Sequence, residues 1–232
     1  MEERFKNYKK LIYPDGKFNE RFSVFYELLK EYNERYNLTT VLEEKDVLYK
    51  HFLDSAAGEF LFPSRSKVLE VGSGAGFPSM VLKMMRDDLS FTLVESVGKK
   101  CEFLKVASRR LQMKDVTVLN GRAEDFARDP AYREKFDVVC ARAVARMNTL
   151  CEYCIPFVKK GGIFIAYKSG DEEEFSECKK AVSVLGGKIK ENYLYELPEN
   201  YGKRSLIVVE KVNYTLPKYP RGNGKERKNP IL

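Results

Sequence analysis

Three glycines at alternate positions, Gly72, Gly74 and Gly76, follow directly on the apolar run Lys67 to Val71, and Phe77-Pro78 closes the group before Met80, Val81, Met84 and Met85 open an amphipathic stretch. A strand that turns on glycine into a helix is a geometry for a nucleotide-like ligand. Glycine permits the tight turn and the close approach of a ligand to the backbone, and the helix start presents amide hydrogens. Glu95 ends the next β-rich run, where a carboxylate can accept both hydroxyls of a ribose. After the third run come Arg122, Ala123, Glu124 and Asp125, where Glu124 or Asp125 is placed to meet a purine; the alternative is an acid stabilised in the first turn of a helix. Arg142, within Ala141-Arg142-Ala143 at the fourth run's end, can hold a carboxylate, a phosphate or a base edge by paired hydrogen bonds, with a structural ion pair as its other reading. Lys168 at the end of a fifth run, and Arg204, are cations suited to phosphate or, alternatively, to a solvated surface.

The spacing narrows the ligand. A dinucleotide fingerprint wants Gly or Ala three residues beyond its second glycine, and Phe77 stands there instead. The G-x-G-x-G form resembles the S-adenosyl-L-methionine loop of Rossmann-like methyltransferases, whose ligand carries a methionine carboxylate and amine rather than a pyrophosphate. Glu95 agrees with either cofactor, so an NAD-dependent oxidoreductase is the competing reading that Phe77 disfavours. His51 is the sole histidine, which excludes histidine-rich metal sites, and no metal is expected. Cys151 and Cys154 form a C-x-x-C with no second pair at zinc spacing, so three-residue spacing on one buried helix face accounts for them. Cys140 lacks the adjacent proline of cytosine-C5 enzymes and reads as a buried strand residue.

The elements that must hold these residues follow from periodicity. Phe22, Phe25, Tyr26, Leu29 and Tyr32 recur at three- and four-residue spacing and predict a helix between Asn19 and Tyr36. Pro14, Asp15 and Gly16 divide it from an earlier helical stretch, and one or two short helices are expected from Asp46 to Phe60. From Ser66 the pattern becomes alternating strand and helix, with strands at Lys67 to Val71, Phe91 to Glu95, Val116 to Leu119, Phe136 to Cys140 and Gly162 to Tyr167. A helix from Glu172 to Leu185 precedes two further strands, Lys188 to Tyr195 and Arg204 to Glu210, which supply an antiparallel edge. The expectation is an α/β Rossmann-like class I methyltransferase fold with a seven-stranded, mostly parallel sheet and helices on both faces. Residues 1–64 form an N-terminal helical extension packing on the core, 65–211 the catalytic domain and 212–232 a basic tail.

With 232 residues, 44% hydrophobic and 32% charged, the chain has the composition of an ordinary globular protein. No apolar run spans a membrane and the first ten residues carry charge throughout, so a cytoplasmic location is expected, with reduced cysteines. Its 41 Lys plus Arg against 34 Asp plus Glu give +7, which favours a polyanionic partner. Lys211, Lys218, Arg221, Lys225, Arg227 and Lys228 oppose only Glu226 near the C-terminus, and Pro217, Pro220 and Pro230 predict an extended basic tail without regular structure. A solvated terminus that touches nothing is the alternative.

Taken in order, Asn37-Leu-Thr-Thr40, Lys50-His-Phe-Leu-Asp-Ser55, Glu70 to Pro78, Glu95-Ser96, Ala141-Arg-Ala143, Tyr167-Lys168 and Lys218-Tyr-Pro-Arg221 resemble the RsmG family, formerly glucose-inhibited division protein B, over nearly the whole chain. The resemblance implies methylation of guanine N7 in 16S ribosomal RNA, with 16S rRNA or the small subunit as partner; a monomer is expected, with the oligomeric state left open by the sequence. It implies cofactor contacts at Gly72, Phe77, Ala123, Glu124 and Arg142, and an RNA-orienting role for Asn37, His51 and Asp54, with a capping or packing role as the other reading of His51. The chain departs from the family pattern in Glu95 where Asp is frequent, in Lys50 where Arg is frequent, and in the segment after Arg221. Guanine N7 has an available lone pair, so no general base is required, and alignment with tolerance of positive charge on the base is the main task. A methyltransferase for another RNA or a small molecule, or a non-catalytic RNA-binding module that retains the cofactor pocket, are the alternatives.

Overall fold

The computed structural model describes residues 1–170 and 172–232. Seven strands form a single sheet in the order β3-β2-β1-β4-β5-β7-β6. These are β1 (Lys67–Val71), β2 (Ser90–Glu95), β3 (Val116–Asn120), β4 (Phe136–Arg142), β5 (Val158–Lys168), β6 (Gly187–Glu196) and β7 (Lys203–Lys211). The first five run parallel, and β7 lies antiparallel between β5 and β6. The strand period places successive side chains on opposite faces: Val68 enters one core, Leu69 and Val71 the other. Both faces are therefore covered, as a central parallel sheet requires.

One face carries α1 (Glu2–Ile12), α2 (Glu20–Tyr36), the short α3 (Glu44–Asp46), a π-helical turn Val47–Leu53, α4 (Asp54–Ala56), α5 (Ser79–Met85) and α6 (Gly98–Arg110). Asn19 caps α2 by accepting from the Phe22 amide at 3.1 Å. Asn37 ends it in the left-handed conformation, φ 49°, with its amide on the Asn33 carbonyl. Aromatic contacts join this layer to the glycine loop: Phe52 meets Phe18 and Phe22 at 5.1 Å, and Phe25 meets Phe77 at 5.7 Å. The other face carries α7 (Ala123–Phe126), α8 (Met147–Cys154), α9 (Glu172–Glu177) and α10 (Lys179–Val184). The helix expected from Glu172 to Leu185 is thus two, separated at Cys178. All five cysteines are buried thiols. No helix is long and apolar enough to cross a membrane among the described residues.

The C-terminal segment corrects the expectation of an extended tail without regular structure. Lys211 is 1% exposed at the end of β7 and donates to the Ile155 carbonyl at 3.0 Å, with Glu134 at 3.1 Å. Arg133 donates to the carbonyls of Thr215 and Tyr219 at 2.7 and 2.8 Å, and Arg128 to that of Pro220 at 2.9 Å. Residues Lys225–Lys228 form α11, with Glu226 fully buried. Prolines remove amide donors but leave every carbonyl free to accept, and two arginines of the body use those carbonyls to bind the segment.

Candidate active site

In an open α/β sheet the ligand crevice lies beyond the carboxyl ends of the strands where the strand order reverses, here between β1 and β4. A cavity of about 460 Å³ opens there, lined by Thr39, His51, the glycine loop, Glu95, Lys100 and Arg142 to Val144. A recess of about 80 Å³ adjoins it, formed by Gly121 to Glu124 and Tyr153, and shares Gly72, Ser96, Val144 and Arg227 with the larger space. Clefts of about 560 and 590 Å³ lie elsewhere, beside Arg21 and Asp87 and beside Arg65 and Lys159, but neither contains a residue of the glycine loop. The β1 and β4 strand ends, rather than volume, identify the site.

The loop after β1 needs its glycines for conformation and for space. Gly72 and Gly76 adopt φ of +68° and +90°. A Cβ on Gly72 would stand 2.6 Å from Val144 Cγ2, and one on Gly76 would collide with Met80. Glu95 is 6% exposed, and its carboxylate accepts from the Gly74 amide at 2.9 Å and the Val97 amide at 2.8 Å. Each carboxylate oxygen has two lone pairs, so one on each remains for a ligand hydroxyl. Beneath the loop, Glu70 is fully buried with neither carboxylate oxygen hydrogen-bonded, and burial pushes it up to about 8, so it is held as the neutral acid.

Arg142 is held by one turn of the N-terminal layer. Its Nη1 donates to the Lys50 carbonyl and to Asp54 Oδ2, both at 2.9 Å, and its Nη2 meets His51 Nδ1 at 3.1 Å. Nδ1 lies between a group that only donates, Arg142, and one that only accepts, the Lys50 carbonyl at 3.2 Å; with the proton on Nε2 the ring accepts from Arg142 and donates to Thr39 Oγ1 at 3.0 Å. Burial and the Arg142 charge lower His51 to about 3, which keeps the ring neutral. That ring stacks on Phe77 at 4.4 Å, and the Arg142 guanidinium lies 5.2 Å from the same phenyl centroid. The next residue, Ala143, takes a left-handed φ of 57°, uncommon for a residue with a Cβ and of a kind that clusters at functional sites.

The structure thus gathers Gly72, Gly74, Phe77, Glu95, His51 and Arg142 around the cavity, and Ala123 and Glu124 around the recess. Gly76 lies behind the loop against Met80. Asn37 is exposed and serves as the α2 terminator, outside the cavity lining. Asp54 is 4% exposed and engaged by Arg142, by the Tyr195 hydroxyl at 2.9 Å and by Arg204 at 3.8 Å. Lys168 is paired internally, 2.5 Å from Glu174 and 3.0 Å from the Ala145 carbonyl. Asp54 and Lys168 are thus held in ion pairs with little exposure, whereas Arg204 remains partly exposed and meets Asp54 only at 3.8 Å. Thr39, Val144 and Arg227 line the space without having been singled out; only the Asn37 to Thr40 motif hinted at the first. Among the described residues no group of His, Cys, Asp and Glu side chains is placed to hold a metal ion.

The model of one protein family, GidB: rRNA small subunit methyltransferase G, matches residues 18–200. The chain belongs to this family. It is 46% identical over 216 residues to ribosomal RNA small subunit methyltransferase G of Staphylococcus aureus strain Newman, covering 92% of this chain and 90% of that protein. The counterpart from the bovine strain RF122 is 47% identical over the same span, with the same coverage. Solved structures share the fold at low identity. The YcgJ protein from Bacillus subtilis superposes with a TM-score of 0.54 at 14% identity over 70% of this chain and all of that one. M. jannaschii TYW2 in complex with AdoMet does so at 0.51 and 13% identity, over 68% of this chain and 75% of that one. A methyltransferase of the small-subunit rRNA family with a Rossmann-like sheet is thereby established, as the glycine loop and the order of the motifs had led us to expect.

Proposed function

We propose that the chain transfers the methyl group of S-adenosyl-L-methionine to N7 of a guanine in 16S ribosomal RNA, acting as a single chain in the bacterial cytoplasm. The observation that carries this reading is the alignment at the β1/β4 edge of a glycine loop, a ribose-ready carboxylate and an anchored arginine that shares one cavity with them. The residues present fit the cofactor. The missing Cβ of Gly72 lets Val144 close against the loop as a wall of the cavity, Glu95 keeps free lone pairs for hydroxyls, and the recess at Gly121 to Glu124 offers a slot for a base. When bound, the cofactor supplies an electrophilic methyl on a sulfonium.

The chain's own part is positioning. Three of the five N–H groups of Arg142 are used by Lys50, Asp54 and His51, which leaves two, on a residue that lines the cavity, to take a guanine O6 or a phosphate. Donation to O6 leaves N7 free to attack. No base is required, and the one imidazole near the site is not available as a base, since its Nδ1 is occupied by Arg142 and burial disfavours its protonation. Neutral His51 and neutral Glu70 leave the Glu95 carboxylate to balance cationic character at the cavity.

The test is transfer from radiolabelled S-adenosylmethionine to 16S RNA, naked and as assembled small subunits, from cells lacking the protein. Label recovered as 7-methylguanosine at one position supports the reading, and Arg142→Ala should abolish it, with folding followed by circular dichroism because the variant leaves the buried Asp54 carboxylate without its main partner. Label absent from both substrates overturns it.

A further inference from the structure

We propose that Arg227 is a cofactor-binding residue: carried by the docked C-terminal segment, its guanidinium closes the adenine end of the cavity. The inference rests on the reading of the cavity as an S-adenosylmethionine site. Arg227 is the only side chain of the C-terminal segment that lines both the main cavity and the recess at Gly121 to Glu124, among the described residues. Its Nη2 lies 3.5 Å from the carbonyl of Val144, the residue whose side chain packs against Gly72. Tyr153 lines the same recess.

The placement of Arg227 is built rather than incidental. Arg221 holds Glu152, itself 1% exposed, with its backbone amide at 2.7 Å and its guanidinium at 2.8 Å. Thr149 donates to the Glu226 carbonyl at 3.0 Å, and the buried Glu226 carboxylate accepts from the Gly222 amide. Gly222 adopts φ of +72°, which favours glycine, and its missing Cβ leaves room for the Arg128 guanidinium that binds the Pro220 carbonyl. Thr149, Glu152 and Tyr153 share α8, so the helix that fixes the segment also floors the recess. A planar guanidinium at the open side of a slot for a purine can stack on the ring face and donate to its ring nitrogens, which an ammonium cannot do.

Two consequences separate this from a general basic surface. Cofactor binding should depend on docking of the C-terminal segment, and the effect should follow the adenosine part of the ligand, independent of the sulfonium charge. The full-length protein is titrated with S-adenosylmethionine, S-adenosylhomocysteine and adenosine, for wild type, Arg227→Ala, Arg227→Lys, Glu152→Gln and Arg227→Ala with Glu152→Gln. Arg227→Ala should weaken all three ligands by the same factor, about 3- to 30-fold, with Lys recovering little of it. Glu152→Gln, which does not touch the cavity, should weaken them too, and the double variant should be no weaker than Arg227→Ala alone. RNA affinity and its salt dependence should be unchanged in Arg227→Ala. Unaltered cofactor affinity in this exposed-site variant overturns the proposal; if RNA affinity drops instead and its salt slope falls by about one, Arg227 serves an RNA phosphate. Failure of wild type to bind any of the three ligands overturns the cofactor reading itself, a different result from a variant that matches a binding wild type.

Discussion

Replacing Asp54 tests whether the N-terminal layer positions the site arginine. The carboxylate is 4% exposed, and it accepts from Arg142 and Tyr195 at 2.9 Å, with Arg204 at 3.8 Å. Asp54→Ala leaves a guanidinium that is only 14% exposed without its countercharge. Removing one partner of such a buried pair costs about 3–5 kcal/mol, and the orphaned Tyr195 hydroxyl adds about 1 kcal/mol or more unless water reaches it. We expect a net loss of about 4–6 kcal/mol, a large part of the roughly 5–15 kcal/mol that holds a domain together. A urea titration at pH 7 should show the midpoint falling by about 1–3 M with an unchanged slope.

Arg142→Met removes the charge at the other end, so the double variant should be more stable than the sum of the two single losses predicts by at least about 1.5 kcal/mol. Methyl transfer by Asp54→Ala at saturating cofactor should fall about 100-fold, the loss that follows when a reacting geometry slips by about an ångström. A cost below about 1 kcal/mol, or a cycle additive within about 0.5 kcal/mol, would refute the idea that Asp54 acts through Arg142.

Three further outcomes follow from the same geometry. Gly72→Ala and Gly74→Ala both force a Cβ into positive φ, at about 1–2 kcal/mol each, but only the first strikes Val144, while the second has nothing nearer than 3.8 Å. Calorimetric titration should therefore show cofactor affinity falling at least tenfold more for Gly72→Ala, and equal losses would mean that Val144 is not part of the binding wall. Glu70, raised to about 8 from an ordinary 4.5, keeps in the folded state a proton that the unfolded chain releases. Its stabilising effect is full below pH 4.5 and lost as pH rises through about 8, so Glu70→Gln should flatten the fall in urea midpoint between pH 5 and 8; parallel profiles would place this carboxyl at an ordinary value. With a net charge of +7, affinity for small-subunit RNA should fall steeply between 50 and 200 mM salt in a filter-binding assay, and an affinity indifferent to salt would remove the electrostatic part of the reading.

The sheet was legible because its signals are local. Each strand is a short β-rich run with a turn or helix pattern beside it, and all seven lie within a few residues of where those runs place them. Glu95 and Arg142 could be put at strand ends for the same reason. What was illegible is long-range. Nothing in the spacing of Asn37, His51 and Asp54 says that the second and third turn toward Arg142, some ninety positions away, while the first ends α2 at the surface. Lys168 looks like a free cation in sequence, since Glu174, which pairs with it, belongs to another element. The C-terminal segment misled for a related reason: its prolines and charges describe the segment alone, whereas its conformation is imposed by Arg128, Arg133 and Glu152 of the body.

The N-terminal layer therefore has a specific task that a Rossmann-like sheet cannot perform by itself. A strand end delivers the Cα of Arg142 to the crevice but leaves a long, flexible side chain whose head must lose about 2 kcal/mol of rotamer entropy to adopt one position. All three of its acceptors come from residues 50–54, within and just after the π-helical turn, and that turn is held by Phe52 against Phe18 and Phe22. The same layer fixes Phe77 from below through Phe25 and from above through His51. Glycine loop and arginine are thus oriented by one rigid aromatic cluster, so a change in that cluster acts on cofactor and substrate alignment together.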